Sequence, residues 1–306
     1  LMAIPAFWTV GDAIDFMRAS LDLPEQFYHI VLVDPRFRPI GQVTLGKIMS
    51  SDRVTPLRDI QEESFRTIPA TQDEEDVAYA FNQYHLISAP VVNEDGGRLV
   101  GVITIDDAMI VLSEENEEDL LLLAGVGDES IADRTLQIVR QRFPWLLVNL
   151  GTAIVASLVI AQFEDVLAAV VALAVLMPIV ASMGGNAGTQ SMTVAVRAIA
   201  TRDLTGSNAW RVVRRETIAG FLNGAGFAVI IGIVSFIWFG SPMLGVVIAL
   251  AMIINLVVAG LAGVLVPIAM DKFGVDPALA SGTFVTTVTD VVGFFAFLGL
   301  AGIILL

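Results

Sequence analysis

Long uncharged stretches dominate the second half of the chain. Phe143–Phe163 has 21 residues without a charge, Val166–Val196 has 31 and Thr217–Met270 has 54. Pro277–Leu306 has 30 residues, of which only Asp290 is charged. About 20 helical residues cross a hydrocarbon core of about 30 Å, and Gly-Ser-Pro at 240–242 divides the longest stretch. The pattern therefore predicts five transmembrane helices, at about 143–163, 166–198, 216–239, 243–270 and 278–304.

Positive charges predict the orientation of these helices. They lie before the first span, between the second and third, and between the fourth and fifth, whereas the connections 162–165 and 240–242 contain no lysine or arginine. Because cytosolic connections carry the excess of positive charge, we expect a cytosolic N-terminal half and an external C-terminus in a bacterial-type inner (cell) membrane. The residues concerned are Arg134, Arg140, Arg142, Arg197, Arg202, Arg211, Arg214, Arg215 and Lys272.

The first half of the chain contains a repeat of about 60 residues. Val-Leu-Val-Asp at 31–34 and Ile-Gly-Gln-Val-Thr-Leu at 40–45 recur as Val-Val-Asn-Glu at 91–94 and Val-Gly-Val-Ile-Thr-Ile at 100–105. Each copy has two short β-rich runs separated by turn residues and followed by a helix-like stretch. This pattern predicts two successive units of strand, turn, strand and helix.

Charge and composition separate the two halves further. Residues 1–142 have a net charge of −14, and residues 143–306 have a net charge of −1. The chain as a whole is 55% hydrophobic and 16% charged, against about 25% charged in soluble domains, which argues against an ordinary soluble enzyme. The absence of cysteine excludes disulfides, thiolate metal sites and a cysteine nucleophile. No basic patch suggests nucleic acid as a partner.

Acidic clusters mark the N-terminal half. Residues 114–119 contain five carboxylates in six positions, and residues 73–76 and 106–107 form two further clusters. A solvated acidic face with acidic helix starts is one interpretation. The other is a weak Mg²⁺ sensor, since Mg²⁺ prefers oxygen ligands, keeps several waters and needs few protein groups.

Asp290 is the most informative residue of the membrane half. It lies in mid-span, and a carboxylate at the centre of a membrane helix costs about 2.5–3.5 kcal/mol, so it normally faces a bundle interior or water. Thr283, Thr286 or Thr287, and Asp290 share one helix face by their spacing. This stripe suits a hydrated cation. A protonated aspartic acid that bonds to a neighbouring helix is the alternative.

The second span has an unusual sequence for a membrane helix. Residues 178–190 read Pro-Ile-Val-Ala-Ser-Met-Gly-Gly-Asn-Ala-Gly-Thr-Gln. Pro178 and the glycines are expected to weaken the helix, and freed carbonyl groups at membrane depth are tolerated where they line a water-filled cavity. Asn186 and Gln190 add side-chain oxygens to one face. Close packing of small residues is the alternative, but in combination with Asp290 the pattern favours an ion path.

The N-terminal repeats resemble a tandem pair of CBS domains, a regulatory module that often binds adenosine nucleotides. Gly101, Thr104 and Asp107 have the spacing typical of these domains, in which the aspartate commonly holds a ribose. The first repeat has Lys47 at the matching position, which puts a nucleotide there in doubt. The resemblance thus implies ATP or another adenosine nucleotide as a modulator at the second repeat.

The chain as a whole resembles the MgtE family of magnesium channels and transporters. The resemblance rests on residues 184–190, the threonine-rich last span with Asp290, the five spans and the preceding CBS pair. It implies a homodimer in the lipid bilayer with the ion path on the twofold axis, and gating by cytosolic Mg²⁺ through a connecting plug helix. Family members usually carry a further acidic, helical N-terminal domain, which this chain, beginning at Leu1, is expected to lack.

The resemblance also implies roles for individual residues. Asp290 is the expected ligand of the hydrated ion, and its expected pore neighbours are Ser182, Gly185, Asn186, Thr193 and Thr286. The implied ligands of the sensor ions are Asp73, Glu75, Asp107, Glu115, Glu118 and Asp119.

The expected fold is an α/β tandem CBS pair followed by an all-α transmembrane domain of five helices. We expect the first repeat at 1–60, the second repeat with the acidic segment at 61–125, the plug helix at 126–142 and the transmembrane domain at 143–306.

The expected function is Mg²⁺-selective movement of hydrated divalent cations into the cytosol down the electrochemical gradient. A broader carrier for Mn²⁺ and Co²⁺ and a membrane Mg²⁺ sensor without transport are the alternatives.

An anion channel is disfavoured because the interiors of the spans lack lysine and arginine. An enzyme is not expected, because an intramembrane aspartic protease needs two deep carboxylates and the chain has no phosphate-binding loop of ATP-hydrolysing type.

Overall fold

A computed structural model describes residues 2–20, 23, 27–95, 97–126 and 134–306, apart from the side chains of residues 280 and 281. The chain divides into two compact units, Leu1–Asn116 and Glu117–Leu306. The first contains both β-sheets, and the second contains the long apolar helices.

The first unit is built from two copies of one small sheet. In the first copy β1 (Ala3–Pro5) pairs in parallel with β2 (His29–Val33), which pairs antiparallel with β3 (Pro39–Thr44). In the second, β4 (Ile68–Pro69), β5 (Ser88–Val92) and β6 (Leu99–Thr104) pair in the same way. Both sheets change register at the equivalent place, between Leu32 and Val33 and between Val91 and Val92. The predicted repeat is therefore confirmed.

Four helices accompany these strands: α1 (Val10–Ala19), α2 (Leu45–Ser50), α3 (Glu74–Tyr84) and α4 (Ile105–Leu123). A 3-10 turn covers Leu57–Asp59. The chain enters α1 through a capping box, in which Thr9 and Asp12 exchange hydrogen bonds that satisfy N–H groups of the first turn. α4 begins in the first unit and ends in the second.

The described residues of the second unit form five helices that are long and apolar enough to cross a membrane. The predicted architecture of a CBS pair followed by five membrane helices is thus confirmed. The helices are α5 (Thr135–Ala161), α7 (Ala172–Ala200), α8 (Ala209–Phe239), α9 (Pro242–Lys272) and α10 (Pro277–Ile304), and the short α6 (Glu164–Ala169) lies between α5 and α7.

Several helix boundaries differ from the predicted ones. α5 begins at Thr135, eight residues before the uncharged run, because its arginines and glutamines are good helix formers. Residues 135–142, which were expected in a separate connecting helix at 126–142, are therefore the first turns of α5, and residues 127–133 of that expected helix lie outside the described residues. The span expected at 166–198 is divided between α6 and α7.

α9 forms the centre of the membrane unit. In its most apolar stretch 56% of the residues are buried inside the protein, compared with 6% in α5. Small residues let its neighbours approach closely: a Cβ atom at Gly220 of α8 would overlap the carbonyl oxygen of Leu256, and one at Gly260 would lie 2.6 Å from the carbonyl oxygen of Glu216. Such close approach is typical of membrane helices, whose association depends on packing rather than on the hydrophobic effect.

The contact at Gly220 gives a matched pair of variants on one helix. Gly220→Ala must displace the backbone of α9, whereas Gly226→Ala adds a methyl group to open space. We expect Gly220→Ala to cost about 1–3 kcal/mol and to lower the unfolding temperature in detergent by several degrees. Gly226→Ala should leave that temperature unchanged or raise it slightly, and equal loss in both variants would contradict the packing described here.

Candidate functional site

A stripe of exposed polar side chains runs along α7. Ser182, Asn186, Thr189 and Thr193 follow one another at spacings of four, three and four residues, and all four are exposed. This spacing places them on one face of the helix. We call these four residues the α7 polar stripe.

Most polar groups of the stripe bond locally. The hydroxyl groups of Thr189 and Thr193 donate to the carbonyl oxygens of Gly185 and Thr189, each at 2.9 Å. The amide of Asn186 lies 3.4 Å from the Ser182 hydroxyl. The hydroxyl lone pairs therefore remain available to water or to a hydrated ion on the exposed side.

Asp290 lies on α10 and is partly exposed. Within the described residues, its carboxylate has no hydrogen-bond or ion-pair partner. Thr286, one turn earlier, donates its hydroxyl back to the carbonyl oxygens of Gly282 and Thr283. A carboxylate at this depth without a protein partner needs water, a proton or a cation.

The threonines around Asp290 do not all share its surface. Thr289 is fully buried, and Thr283 is 6% exposed and donates to the side-chain oxygen of Asn149 on α5 at 2.7 Å. The expected polar face therefore reduces to Thr286, Thr287 and Asp290. Thr283 has the predicted helical spacing, but the neighbouring helix α5 uses its hydroxyl for packing.

α7 and α10 adjoin each other at the level of these residues. A Cβ atom at Gly185 would lie 3.8 Å from the methyl carbon of Thr286, and one at Gly188 would lie 3.5 Å from the methyl carbon of Thr289. Asp290 follows one turn after Thr286 and directly after Thr289. The structure thus places Gly185 beside Thr286, one turn before Asp290, with Ser182, Asn186 and Thr193 on the exposed side of α7.

α7 is continuous through Pro178, in contrast to the expected weakening. The proline removes only one N–H donor from the ladder, and the packing of α7 against α9 and α10 holds the rest of the helix together. The carbonyl groups of this helix are therefore mostly engaged, and its exposed side chains provide the polar surface.

Asn255 of α9 was not predicted as a functional residue. It is completely buried, and its amide nitrogen donates to the carbonyl oxygen of Val180 at 2.8 Å. The sequence shows only that this residue is an amide within the 54-residue uncharged run. Nothing in that pattern shows which helix the amide faces.

The expected sensor residues of the first unit lie at helix starts. Asp73 is the N-cap of α3 and accepts from the backbone N–H of Glu75 at 3.1 Å. Asp107, in the first turn of α4, accepts from the N–H and the hydroxyl of Thr104 at 2.9 and 2.8 Å. All three acidic side chains are exposed. Among the described residues, no three acidic or histidine side chains are gathered closely enough to form a metal site.

Asp107 also lines a cavity in the second repeat. The cavity has a volume of about 190 Å³ and lies between β4, β5, β6, α3 and α4. Its charged lining groups are Asp107 and Glu74, and the remaining walls are mostly aliphatic. The cavity is thus an apolar cleft with carboxylates in its lining, which is typical of small-molecule sites.

The remaining expected sensor residues lie near the end of α4. Glu115 belongs to the first unit, and Glu118 and Asp119 belong to the second. The pKa of Asp119 is raised by its partial burial and by the negative charges of Asp276 and Glu118. Asp276 is the N-cap of α10, a position that the Asp-Pro pair at 276–277 signals in the sequence. The structure thus adds Asp276 to this acidic group.

The end of α4 packs on the membrane helices. Leu122 and Leu123 contact a buried cluster of Met192 and Val196 from α7 with Ala278 and Val285 from α10. Gly125, in the left-handed region at φ 71°, ends the segment, and a Cβ atom there would lie 2.6 Å from the indole nitrogen of Trp145 on α5. Asp119 therefore lies within one helical turn of the leucines that pack on the two helices of the candidate ion path.

The raised pKa of Asp119 predicts a pH dependence of stability. Because the folded protein holds this proton more tightly than the unfolded chain, the stabilising contribution is complete below about pH 4 and is lost as pH rises through the raised pKa. Asp119→Asn should therefore gain stability relative to wild type between pH 4 and pH 7.5, by about 1–3 °C in unfolding temperature.

Asp12 provides the control of opposite sign. Hydrogen bonds from the backbone N–H and the hydroxyl of Thr9 lower the pKa of its carboxyl, so that its contribution is present at neutral pH and is lost as pH falls. Asp12→Asn should lose stability relative to wild type as pH rises from about 2 to about 4.5, through the lowered pKa of the folded protein and the ordinary pKa of the unfolded chain. Calorimetric scans of both variants in buffers without divalent ions check the two signs, and parallel curves for Asp119→Asn and wild type would contradict the first.

Comparison with known protein families gives two matches. Residues 177–300 match the MgtE family, described as divalent cation transporters, and residues 57–114 match the CBS domain. The first match includes most of α7, together with α8, α9 and the part of α10 that contains Asp290.

Three curated proteins are similar over nearly the whole chain. Magnesium transporters MgtE from Enterococcus faecalis, Thermus thermophilus and Bacillus subtilis are 34%, 33% and 31% identical and align with 98%, 99% and 97% of the chain. In the same order, the chain covers 66%, 68% and 66% of these relatives, and so spans about two thirds of their length. They are transporters and not enzymes, in agreement with the expectation from the sequence.

Two solved structures resemble part of the chain. The soluble part of a magnesium transporter is 29% identical, with a TM-score of 0.35, over 38% of this chain and 44% of that one. The cytosolic domain of the Mg²⁺ channel MgtE in complex with ATP is 31% identical, with a TM-score of 0.34, over 36% of this chain and 44% of that one.

Proposed function

The chain belongs to the MgtE family of divalent cation transporters, and on this premise we propose that it moves hydrated Mg²⁺ into the cytosol down the electrochemical gradient. One observation carries the proposal: α7, which presents the exposed polar stripe, contacts α10 at Thr286, one turn before Asp290, whose carboxylate has no partner among the described residues. Hydroxyl, amide and carboxylate oxygens along one surface are suited to a hard cation with its water shell.

A second copy of the chain completes the path. Polar side chains at the depth of Asp290 do not face lipid without a large energetic cost, so the α7 polar stripe requires a water-filled surface or a protein partner. We place the stripes of two protomers opposite each other across a twofold axis. The path is then lined by both copies of α7 and α10, and the protein is a homodimer.

The charge of the path favours a divalent ion. Two Asp290 carboxylates on a twofold axis repel each other, and one divalent cation balances both, whereas a monovalent ion leaves one charge unbalanced. Retention of the water shell avoids the dehydration that Mg²⁺ resists. An inside-negative potential drives entry by about 2.3 kcal/mol per charge per 100 mV, and by about twice that for a divalent ion.

The same arrangement suggests how the flux is regulated. We place the N-terminal unit in the cytosol, because the connections next to it carry the arginines, and the C-terminus outside. Mg²⁺ bound among the acidic residues of the CBS pair and α4 would relieve their mutual repulsion. The contact of Leu122 and Leu123 with α7 and α10 would transmit this change to the path. An adenosine nucleotide in the cavity beside Asp107 would modulate the response.

Removal of the Asp290 charge tests the ion path. Asp290→Asn should lower Mg²⁺ uptake into proteoliposomes by about 10- to 100-fold, since contacts to a charged group are each worth about 1.5–3 kcal/mol. The variant should remain a folded dimer by gel filtration. Asp271→Asn, an exposed carboxylate at the end of α9, is the matched control and should keep the wild-type rate.

Three outcomes of this assay distinguish the alternatives. Equal uptake in Asp290→Asn and wild type would refute the ion path. If Mn²⁺ or Co²⁺ is taken up at the same rate as Mg²⁺, the protein is a broader divalent cation carrier and not a magnesium-selective transporter. Absence of uptake in a folded wild-type dimer would favour a membrane Mg²⁺ sensor without transport.

Neutralisation of the acidic group tests the sensor. The triple variant Glu115→Gln, Glu118→Gln and Asp119→Asn should keep its uptake at low cytosolic Mg²⁺. The Mg²⁺ concentration that inhibits it should rise about tenfold or more, because the number of ligand charges sets the affinity of such sites.

A control with the same change of charge accompanies this variant. Asp52→Asn, Glu63→Gln and Asp95→Asn remove three exposed carboxylates of the first unit that are not among the expected ligands. Inhibition by cytosolic Mg²⁺ should be unchanged in the control. An unchanged inhibition in the first triple variant would refute its role as sensor.

A further inference from the structure

One amide is completely buried at the centre of the membrane unit. Asn255 lies in the middle of α9, the most apolar of the five long helices in the described part of the chain. Its amide nitrogen donates to the carbonyl oxygen of Val180 on α7. Its side-chain oxygen is buried and has no hydrogen-bond partner among the described residues.

The unpartnered oxygen makes a purely stabilising role a poor explanation for this residue. A buried acceptor without a partner lowers stability, and an aliphatic side chain of similar size would fill the space without that loss. The amide is held by one hydrogen bond and by the shape of its surroundings. It therefore calls for an explanation other than stability.

Two glycines on different helices form these surroundings. A Cβ atom at Gly184 of α7 would overlap the amide nitrogen of Asn255, and one at Gly293 of α10 would lie 2.7 Å from the same atom. The amide thus fills the gap between the two backbones, and its size sets how closely α7 and α10 approach each other.

Both glycines are close in sequence to residues of the proposed ion path. Gly184 lies between Ser182 and Asn186, and Gly293 follows Asp290 by three residues, about one helical turn. The hydrogen bond to Val180 fixes the rotation of α7 one turn before Gly184. Because Asn255 is completely buried, it does not reach the exposed surface and can act on an ion only through these two helices.

We propose that Asn255 is a positioning residue that holds α7 and α10 at the separation and rotation required by the ion path. This inference rests on the proposed transport function. It assigns to α9, which contributes no side chain to the polar stripe, control over the distance between Asp290 and the oxygens of α7. Loss of the amide should then alter the apparent KM for Mg²⁺ and the discrimination against larger ions.

A double-variant cycle tests the proposal. Asn255→Ala removes the spacer, Gly184→Ala inserts a methyl group against the intact amide, and in the double variant the new methyl group enters the space that the amide has left. We expect each single variant to raise the apparent KM for Mg²⁺ about tenfold and to lower the ratio of Mg²⁺ to Ca²⁺ uptake. The reason is that displacement of a functional group by about 1 Å can lower activity by up to about 10²-fold. In the double variant both quantities should return to within about threefold of wild type, which is a non-additive result.

Matched controls separate positioning from general stability. Ser235 on α8 is also completely buried with an unpartnered hydroxyl group among the described residues, and Gly226 on α8 faces open space. Ser235→Ala and Gly226→Ala should keep the wild-type KM and uptake ratio, whatever they do to the unfolding temperature. If Asn255→Ala gives no folded dimer, Gly184→Ala and Gly293→Ala carry the test, because both retain the amide and displace one helix each.

The outcomes are distinct. Wild-type KM and ratio in folded Asn255→Ala, or in folded Gly184→Ala and Gly293→Ala, would overturn the positioning role. Additive losses in the double variant would do the same. In either case uptake that still depends on Asp290 would leave the transport function intact, whereas a folded wild-type dimer without uptake would refute the transport function itself.

Discussion

Direct contact between helix backbones holds the membrane unit together. Within a lipid bilayer the hydrophobic effect does not drive apolar helices toward one another, so their association depends on close packing and on a few hydrogen bonds. In this protein α9 provides that packing. Gly220 and Gly260 let α8 approach it on one side, and Asn255 fits between Gly184 and Gly293 on the other. The positions of α7 and α10, and therefore the geometry of the candidate ion path, depend on this central helix.

The same constraint separates two kinds of polar residue in the membrane unit. Some satisfy each other inside the protein, such as Thr283 with Asn149 and Ser191 with Glu216, whose side chains are 2.7 and 3.0 Å apart. Others, the α7 polar stripe and Asp290, keep an exposed side. Hydrocarbon does not solvate such groups, so the second kind marks the surface that meets water, an ion or a second protomer. This contrast supports a polar path more strongly than the presence of polar residues alone.

α4 carries both acidic residues and the leucines that pack on the membrane helices. Glu118 and Asp119 repel each other, and partial burial beside Asp276 raises the pKa of Asp119, while Leu122 and Leu123 pack on α7 and α10. Charge and apolar packing therefore lie within one helical turn of each other. Under the proposed regulation, a change in the charge state of Glu118 and Asp119, by a proton or by a cation, would act on the packing of the helices that carry Asp290.

The sequence by itself determined the architecture and the chemistry of this protein. Uncharged runs require five membrane helices, the period of the repeat requires two copies of one small sheet, and an isolated carboxylate in a membrane span requires a polar surface. These features follow from local composition, because burial in hydrocarbon and strand alternation act on each segment separately.

The tertiary structure alone decided which polar groups are used in packing. Thr283 has the same helical spacing as Thr286, yet α5 takes up its hydroxyl, and Asp276 joins Asp119 only because α4 ends beside α10. In the sequence, Asn255 is one amide in an apolar run, and only the fold places glycines of two other helices against it. Contacts between helices depend on rotations and distances, which the periodicity within one helix does not encode.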